Sequence, residues 1–259
     1  MTTTQRFLGA MTALLIAAST SAQSAPSPTT AMTIVLVHGA LIDGSSWRGV
    51  YDVLTRDGYR VSIVQQPLTG LDEDVAATQR VLDQQDGPVI LVGHSYGGSI
   101  ITVAGSDPKV KALVYVAALQ PDVGETTGQL APPMPPVNND FRPTRDGFVF
   151  LDPAKFAADF GADLPKAQAE FMARSQMPVS GAAFNAKLTA AAWRDKPSYA
   201  IVATQDRALN PELARWMAKR AGSKVTVLKA SHAVHISHPR AVARVIETAA
   251  RAVRTLGQQ

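Results

Sequence analysis

The sequence predicts an α/β fold, a mostly parallel sheet flanked by helices, and three observations carry the prediction. Short β-branched runs alternate with helical patterns along most of the chain. Several of those runs are continuously apolar, as strands buried on both faces of a parallel sheet require. Gly93-His94-Ser95-Tyr96-Gly97 stands directly between one such run and a helical pattern.

The elements follow in order. Thr33–Val37 is a β-branched run ending in His38-Gly39, and Trp47, Val50, Tyr51 and Leu54 then recur at helical spacing. Arg60–Val64 reads as a strand, 71–85 as a helix with Val75, Thr78 and Leu82 on one face, and 89–92 as a strand set off by Gly87-Pro88. After Ser95 the pattern Ile100, Ile101, Val103, Ala104 is helical, and 112–117 is a continuous apolar run. The final third resumes with a strand at 199–203, a helix from Pro211 capped by Asn210, a strand at Lys224–Leu228 and a last helix. Val242, Val245, Ile246, Ala249 and Val253 form the buried stripe of that helix.

Between about 120 and 197 the rhythm stops. The segment opens with Pro121, Pro132, Pro133, Pro135, Pro136 and Pro143, continues into helical patterns, and holds most of the chain's Phe residues. It is read as an insertion forming a mobile helical cap over a site. Individual aromatics within it are expected to pack among themselves before any touches a substrate.

The chain has 259 residues, 46% of them hydrophobic and 18% charged, which suits one large domain with an insertion and excludes disordered or collagen-like chains. It has no Cys, so disulfides, thiolate nucleophiles and cysteine-ligated metal centres are excluded, and any nucleophile is an oxygen or a nitrogen. The net charge of +4 is not gathered into any run of Lys or Arg, so no nucleic-acid partner is expected.

The N-terminus reads as an export signal: Arg6, then an apolar stretch of about 12 residues, then Ser19 to Ala22. Thr20 and Ala22 occupy the small-residue positions, so cleavage is expected after Ala22, with Ser24 as a second candidate. The stretch falls short of the roughly 20 residues that span a bilayer, so no stable membrane anchor is expected. Residues 1–22 are thus read as signal, 23–31 as a flexible leader rich in Ser, Pro, Thr and Ala, and 32–259 as the folded domain of a periplasmic or secreted protein. A true start at Met32 would instead leave it cytoplasmic.

In G-x-S-x-G the serine occupies a sharp turn between strand and helix, and the flanking glycines make room for its backbone, exposing the hydroxyl at the carboxyl edge of the sheet. Ser95 is therefore the candidate nucleophile. A neutral Ser needs a base, expected later in the chain with an acid between. Asp206, just after the strand at 199–203, is the preferred acid, with Asp122 after 112–117 as its rival. The base is sought in Ser231-His232-Ala233-Val234-His235-Ile236-Ser237-His238-Pro239. His232 lies nearest the strand end and is preferred, His235 comes next, and His238 is read as capping the last helix. The spacing of these three histidines also suits a metal site, but the loop is short and no acidic residue lies near it, so no metal or organic cofactor is expected. The amides of Ala40 and Tyr96 are the candidate oxyanion donors, while His38 and His94 are read as structural.

With these residues in view, His38-Gly39-Ala40, Gly44-Ser45-Ser46-Trp47, Gly93 to Gly98, Asp206-Arg207 and Ser231-His232 resemble the α/β-hydrolase superfamily over about 33–250. Within it the chain is most similar to the small bacterial esterase-like branch related to plant methylesterases and hydroxynitrile lyases. The resemblance implies an α/β-hydrolase fold with Ser95, Asp206 and His232 as triad and Ala40 with Tyr96 as oxyanion donors. The lyases of that group carry Thr where Gly39 stands and Lys where Ala233 stands, which argues against cyanohydrin cleavage.

The expected function is hydrolysis of small-molecule carboxylic esters with apolar acyl or aryl groups. Lactone, thioester and peracid chemistry use the same groups, and a non-catalytic binding protein on this fold is the alternative of a different class. Ser at position 95 argues against dehalogenase and epoxide hydrolase mechanisms, which use a carboxylate there. The sequence is silent on oligomeric state.

Overall fold

The computed structural model describes residues 1, 32–130, 134–138 and 140–256; residues 2–31, which carry the signal and leader readings, lie outside the described residues. In chain order the first half holds β1 (Thr33–Val37), a 3-10 turn (Gly44–Trp47), α1 (Arg48–Arg56), β2 (Arg60–Val64), α2 (Leu71–Asp83), β3 (Val89–His94), α3 (Gly97–Ala104) and β4 (Val110–Val116). The insertion follows, with α4 (Thr127–Leu130), β5 (Phe141–Pro143), β6 (Phe148–Leu151), α5 (Phe156–Asp159), α6 (Lys166–Arg174), β7 (Val179–Ser180) and α7 (Gly181–Asn185). The chain closes with β8 (Ser198–Ala203), α8 (Pro211–Arg220), β9 (Lys224–Leu228), α9 (Val234–Ser237) and α10 (Pro239–Leu256).

The sheet runs β2-β1-β3-β4-β8-β9 and every pairing in it is parallel. Its inner strands β1, β3, β4 and β8 are apolar at nearly successive positions because alternate side chains enter two different layers. Ile34, Leu36, Ile90, Val92, Val114 and Val116 pack with Trp47, Leu54, Val242 and Ile246 on the α1 and α10 side. Val35, Val37, Val89, Leu91 and Tyr115 pack with Leu82, Ile100 and Ile101 on the α2 and α3 side. α8 begins as its sequence indicated: Asn210 Oδ1 accepts from the Glu212 amide at 2.9 Å, and Pro211 stands at the first helical position.

Several boundaries differ from the sequence reading, among them those of β4 (Val110–Val116) and β8 (Ser198–Ala203). β3 continues to His94, so a buried strand delivers Ser95 directly, and α2 stops at Asp83. The insertion contains helices as expected, α4 to α7, and adds an antiparallel three-stranded sheet of β5, β6 and β7 that the sequence reading did not anticipate. Strands of three, four and two residues are too short to show an alternating pattern. Among the described residues no helix is long and apolar enough to cross a membrane.

The strand order reverses between β1 and β3, which places the loop after β1 beside the turn after β3 at the carboxyl edge of the sheet. Open α/β sheets bind their ligands in such a crevice. Close packing under it depends on Gly98, where an added Cβ would lie 2.0 Å from the Leu119 carbonyl oxygen. Because that neighbour is backbone, no rotamer change relieves the clash. Gly98→Ala should therefore lose at least about 2 kcal/mol in urea unfolding, and an unchanged midpoint would contradict this packing.

Candidate active site

Ser95 has a φ of +52°, left-handed backbone that a non-glycine residue rarely adopts. The turn is held from both sides. The Ser95 amide donates to Val116 O at 3.3 Å, and its carbonyl accepts from the amides of Gly98 at 2.9 Å and Leu119 at 3.1 Å. The loop after β1 comes against it through Gly39, where a Cβ would stand 2.8 Å from Ser95 Cβ.

Three of the side chains singled out in the sequence meet here. Ser95 Oγ lies 2.8 Å from His232 Nε2, and His232 Nδ1 lies 2.7 Å from Asp206 Oδ2. The other carboxylate oxygen, Oδ1, accepts from the amides of Ala208 at 2.9 Å and Leu209 at 2.8 Å, which fixes its orientation. Asp206 and His232 are buried. With a proton on Nδ1, the imidazole presents an unprotonated Nε2 to the hydroxyl, the arrangement for general-base removal of its proton.

The rival residues are occupied elsewhere. Asp122 pairs with Arg194 at 2.8 and 2.5 Å, and hydrogen bonds from that guanidinium hold its carboxyl below the usual range. His238 is partly exposed and bonds Ser237 Oγ through Nδ1 at 2.8 Å. His235 is fully buried, its ring 4.1 Å from His94 and 4.7 Å from Trp47. His232, His235 and His238 thus point to different surroundings and do not converge on a common point.

His38 and His94, read as structural, lie buried beneath the site. His38 bonds Gly39 O at 2.8 Å through Nδ1. His94 reaches further than expected, because its Nε2–H donates to the His232 carbonyl at 3.0 Å, tying the residue before Ser95 to the candidate base. Burial lowers the pKa of His38 to about 4 and that of His235 to about 3, and it drives His94 well below its ordinary value, with His235 and His232 adding to that effect.

Ala40 and Tyr96 are buried, and among the described residues neither amide donates to a protein acceptor. Leu41, next to Ala40, has a φ of +70° and is gripped by the insertion: its amide donates to Met177 O at 3.1 Å, and Met177 N donates back at 3.3 Å. Above Ser95 and His232 opens a cavity of about 260 Å³, lined by residues that include Leu119, Met134, Phe141, Phe160, Phe184 and Leu213. Among the described residues its lining has no acidic side chain and no basic one besides His232.

Sequence reasoning missed three contributors. The Phe160 ring stands edge-on to His232 at 4.9 Å. Asp74, buried in α2, accepts from the Tyr96 hydroxyl at 2.9 Å and from the Leu68 amide at 2.7 Å; burial nevertheless pushes its carboxyl up to about 6. Asp163 bonds Ser231, the neighbour of His232. An acidic residue on an otherwise apolar helix face was a signal for Asp74, whereas nothing in the local pattern marks the other two.

A parallel sheet with a serine elbow at its switch point defines the class, and the chain belongs to the alpha/beta hydrolase family, whose model matches residues 34–245. It is 28% identical over 243 residues to the alpha/beta hydrolase nvfD of Aspergillus novofumigatus, an alignment covering 84% of this chain and 96% of that one. It is 29% identical to Methylesterase 8 of Arabidopsis thaliana over 103 residues, which is 34% of this chain and 38% of the relative. Among solved structures, a pyrethroid hydrolase, PytH, superposes with a TM-score of 0.72 at 25% identity, covering 86% of this chain and 98% of that chain.

The buried histidines make stability depend on pH. Unfolded histidine titrates near 6.5. Between that value and the lowered folded ones, the unfolded chain binds protons that the folded chain does not, so stability falls as pH falls. Each fully neutral histidine contributes up to about 1.4 kcal/mol per pH unit. Asp74 acts in the opposite direction, since its folded carboxyl takes up a proton from about pH 6 downward, before the unfolded one does. Glu247, whose carboxyl is pushed up by burial and by the neighbouring Asp57, acts with Asp74, but three histidines outweigh two carboxyls, so the urea midpoint should drop between pH 6.5 and roughly 4.5. His235→Phe should flatten that drop, and a wild-type midpoint that stays level would contradict the neutral cluster.

Proposed function

We propose that the protein hydrolyses carboxylic esters of compact apolar acyl or aryl groups by acyl transfer through Ser95. The observation that carries this reading is the line of hydrogen bonds from Ser95 Oγ through His232 to Asp206, 2.8 and 2.7 Å long, opening on an apolar cavity. The relative named a methylesterase and the structure named a pyrethroid hydrolase support it.

Ser95 Oγ attacks the ester carbonyl carbon as its proton passes to His232 Nε2, and the carboxylate of Asp206 stabilises the imidazolium. The carbonyl oxygen becomes an oxyanion that the Ala40 and Tyr96 amides receive. Collapse breaks the bond to the alcohol, which leaves with the proton from His232, and the acyl group stays on Ser95. Water then attacks the acyl-enzyme, giving its proton to His232, and a second collapse frees the acid and returns the proton to Ser95. These steps draw on side chains, two amides and water, without a metal or organic cofactor.

The cavity sets the acyl preference. At about 260 Å³ it lies just below the roughly 300 Å³ where drug-sized pockets begin. An acyl group carrying a carboxylate would be buried there without a counter-charge, at a cost that selects against it. Ser95→Ala should lower the kcat for p-nitrophenyl butyrate by at least about 10³-fold with an unchanged Tm, and wild-type turnover would contradict the nucleophile. The intact enzyme should prefer p-nitrophenyl butyrate over the p-nitrophenyl hemisuccinate by at least about tenfold in kcat/KM; equal values would contradict an apolar acyl site.

We further propose export, supported by the Arg6 and apolar opening of the chain. Expressed in a bacterium with its own N-terminus, the mature protein should start at Gln23 by intact-mass measurement. A retained Met1, or a start at Met32, would contradict it.

A further inference from the structure

His232 stands in the loop between β9 and α9, beyond the reach of the sheet's hydrogen bonds, so something else has to fix its backbone. One fixing group is His94, whose Nε2–H donates to the His232 carbonyl at 3.0 Å; the others come from the insertion, at the turn between α5 and α6. Phe160 O accepts from the Ala233 amide at 3.0 Å, and the Phe160 ring meets His232 edge-on. Asp163 takes hold of the residue on the other side of His232. Its Oδ2 accepts from the Ser231 amide at 3.1 Å, and its Oδ1 accepts from the Ser231 hydroxyl. Oδ2 also accepts from Ser237 Oγ at 2.9 Å, at the end of α9. Ser231 is only 2% exposed, and its Oγ accepts from the Ala233 amide at 3.3 Å, closing a turn around the histidine. Burial opposes ionisation of Asp163, but the hydrogen bonds from Ser231 and Ser237 outweigh it and hold the carboxyl below its usual range.

Resting on the reading of His232 as the base, we propose that Asp163 is a positioning residue, whose carboxylate, carried by the insertion, sets the backbone at Ser231 and so holds His232 Nε2 within hydrogen-bond reach of Ser95 Oγ. Without it the Ser231 amide and hydroxyl lose their acceptor in a buried turn, and that turn relaxes. A displacement of about 1 Å at a reacting group costs up to about 100-fold in rate. The effect falls on the chemical step, because Asp163 does not line the substrate cavity.

The test uses the mature protein and p-nitrophenyl butyrate, with kcat expressed per active site by fluorophosphonate titration. Asp163→Ala should lower kcat about 10- to 100-fold and leave KM within about twofold, so that its loss lies in kcat. Ser237→Ala removes only the outer hydrogen bond and should keep kcat within about twofold. Adding Ser231→Ala to Asp163→Ala should cost little more, since both act through one contact. If Asp163→Ala does not fold, Ser231→Ala alone decides: it retains the amide contact and should still lose at least about fivefold in kcat with little change in Tm.

A carboxylate that only held the fold together would lower Tm and the number of active sites, leaving kcat per site unchanged. That result overturns the proposal, as does a loss confined to KM. His232→Ala separates the two layers of the argument. If it is inactive while folded Asp163→Ala works at the wild-type rate, the positioning role alone fails. If His232→Ala retains wild-type turnover, the base assignment fails and the proposal falls with it.

Discussion

The left-handed backbone at Ser95 is the constraint on which the rest of this site depends. A serine at a φ of +52° is strained, and it persists because its surroundings over-determine it: β3 delivers it, Val116 and Leu119 grip its amide and carbonyl, and α3 begins immediately beyond. The same turn points the hydroxyl out of the sheet and, among the described residues, leaves the Tyr96 amide without a protein acceptor at the start of a helix. It also admits the loop carrying Ala40, but only because Gly39 has no Cβ to strike Ser95. A second strained residue, Leu41, stands beside Ala40 and is held by paired hydrogen bonds to Met177. Strain thus sits on both candidate oxyanion segments, and in each case neighbouring backbone restrains it.

Beneath the turn, electrostatics are arranged around a single proton acceptor. Four histidines, His38, His94, His232 and His235, lie buried close together, yet burial keeps three of them neutral. Only His232 has a carboxylate against its ring. In the proposed mechanism, the imidazolium formed when Ser95 gives up its proton therefore meets a counter-charge on one side and no competing positive charge on the other. The insertion belongs to the same arrangement. It roofs the cavity with Phe141 and Phe184, and it also reaches down to both loops, through Met177 to Leu41 and through Phe160 and Asp163 to the turn around His232.

The sheet was legible because its strands are locally encoded. Thr33–Val37, Arg60–Val64 and Lys224–Leu228 have the bounds expected from β-branched runs ended by turns, and Asn210-Pro211 announced its helix through capping chemistry. Ser95, Asp206 and His232 were legible because each follows a strand at the same edge, so the order of strands implied their convergence. The insertion was less legible, since its three strands are short and its order comes from contacts distant in sequence. Asp163 and Ser231 are 68 residues apart, a separation at which no periodicity or motif carries information. His94 shows the limit within a recognised motif: its position beside the nucleophile was plain, but its bond to the His232 carbonyl, 138 residues away, was not.

The central claim, that Ser95 is a nucleophile activated by His232, is tested most directly by labelling the folded, purified protein with a fluorophosphonate and locating the adduct by peptide mass spectrometry. The account predicts one adduct, on Ser95, formed at a rate that collapses in His232→Ala. An adduct on another serine, or none in a folded sample, would contradict it.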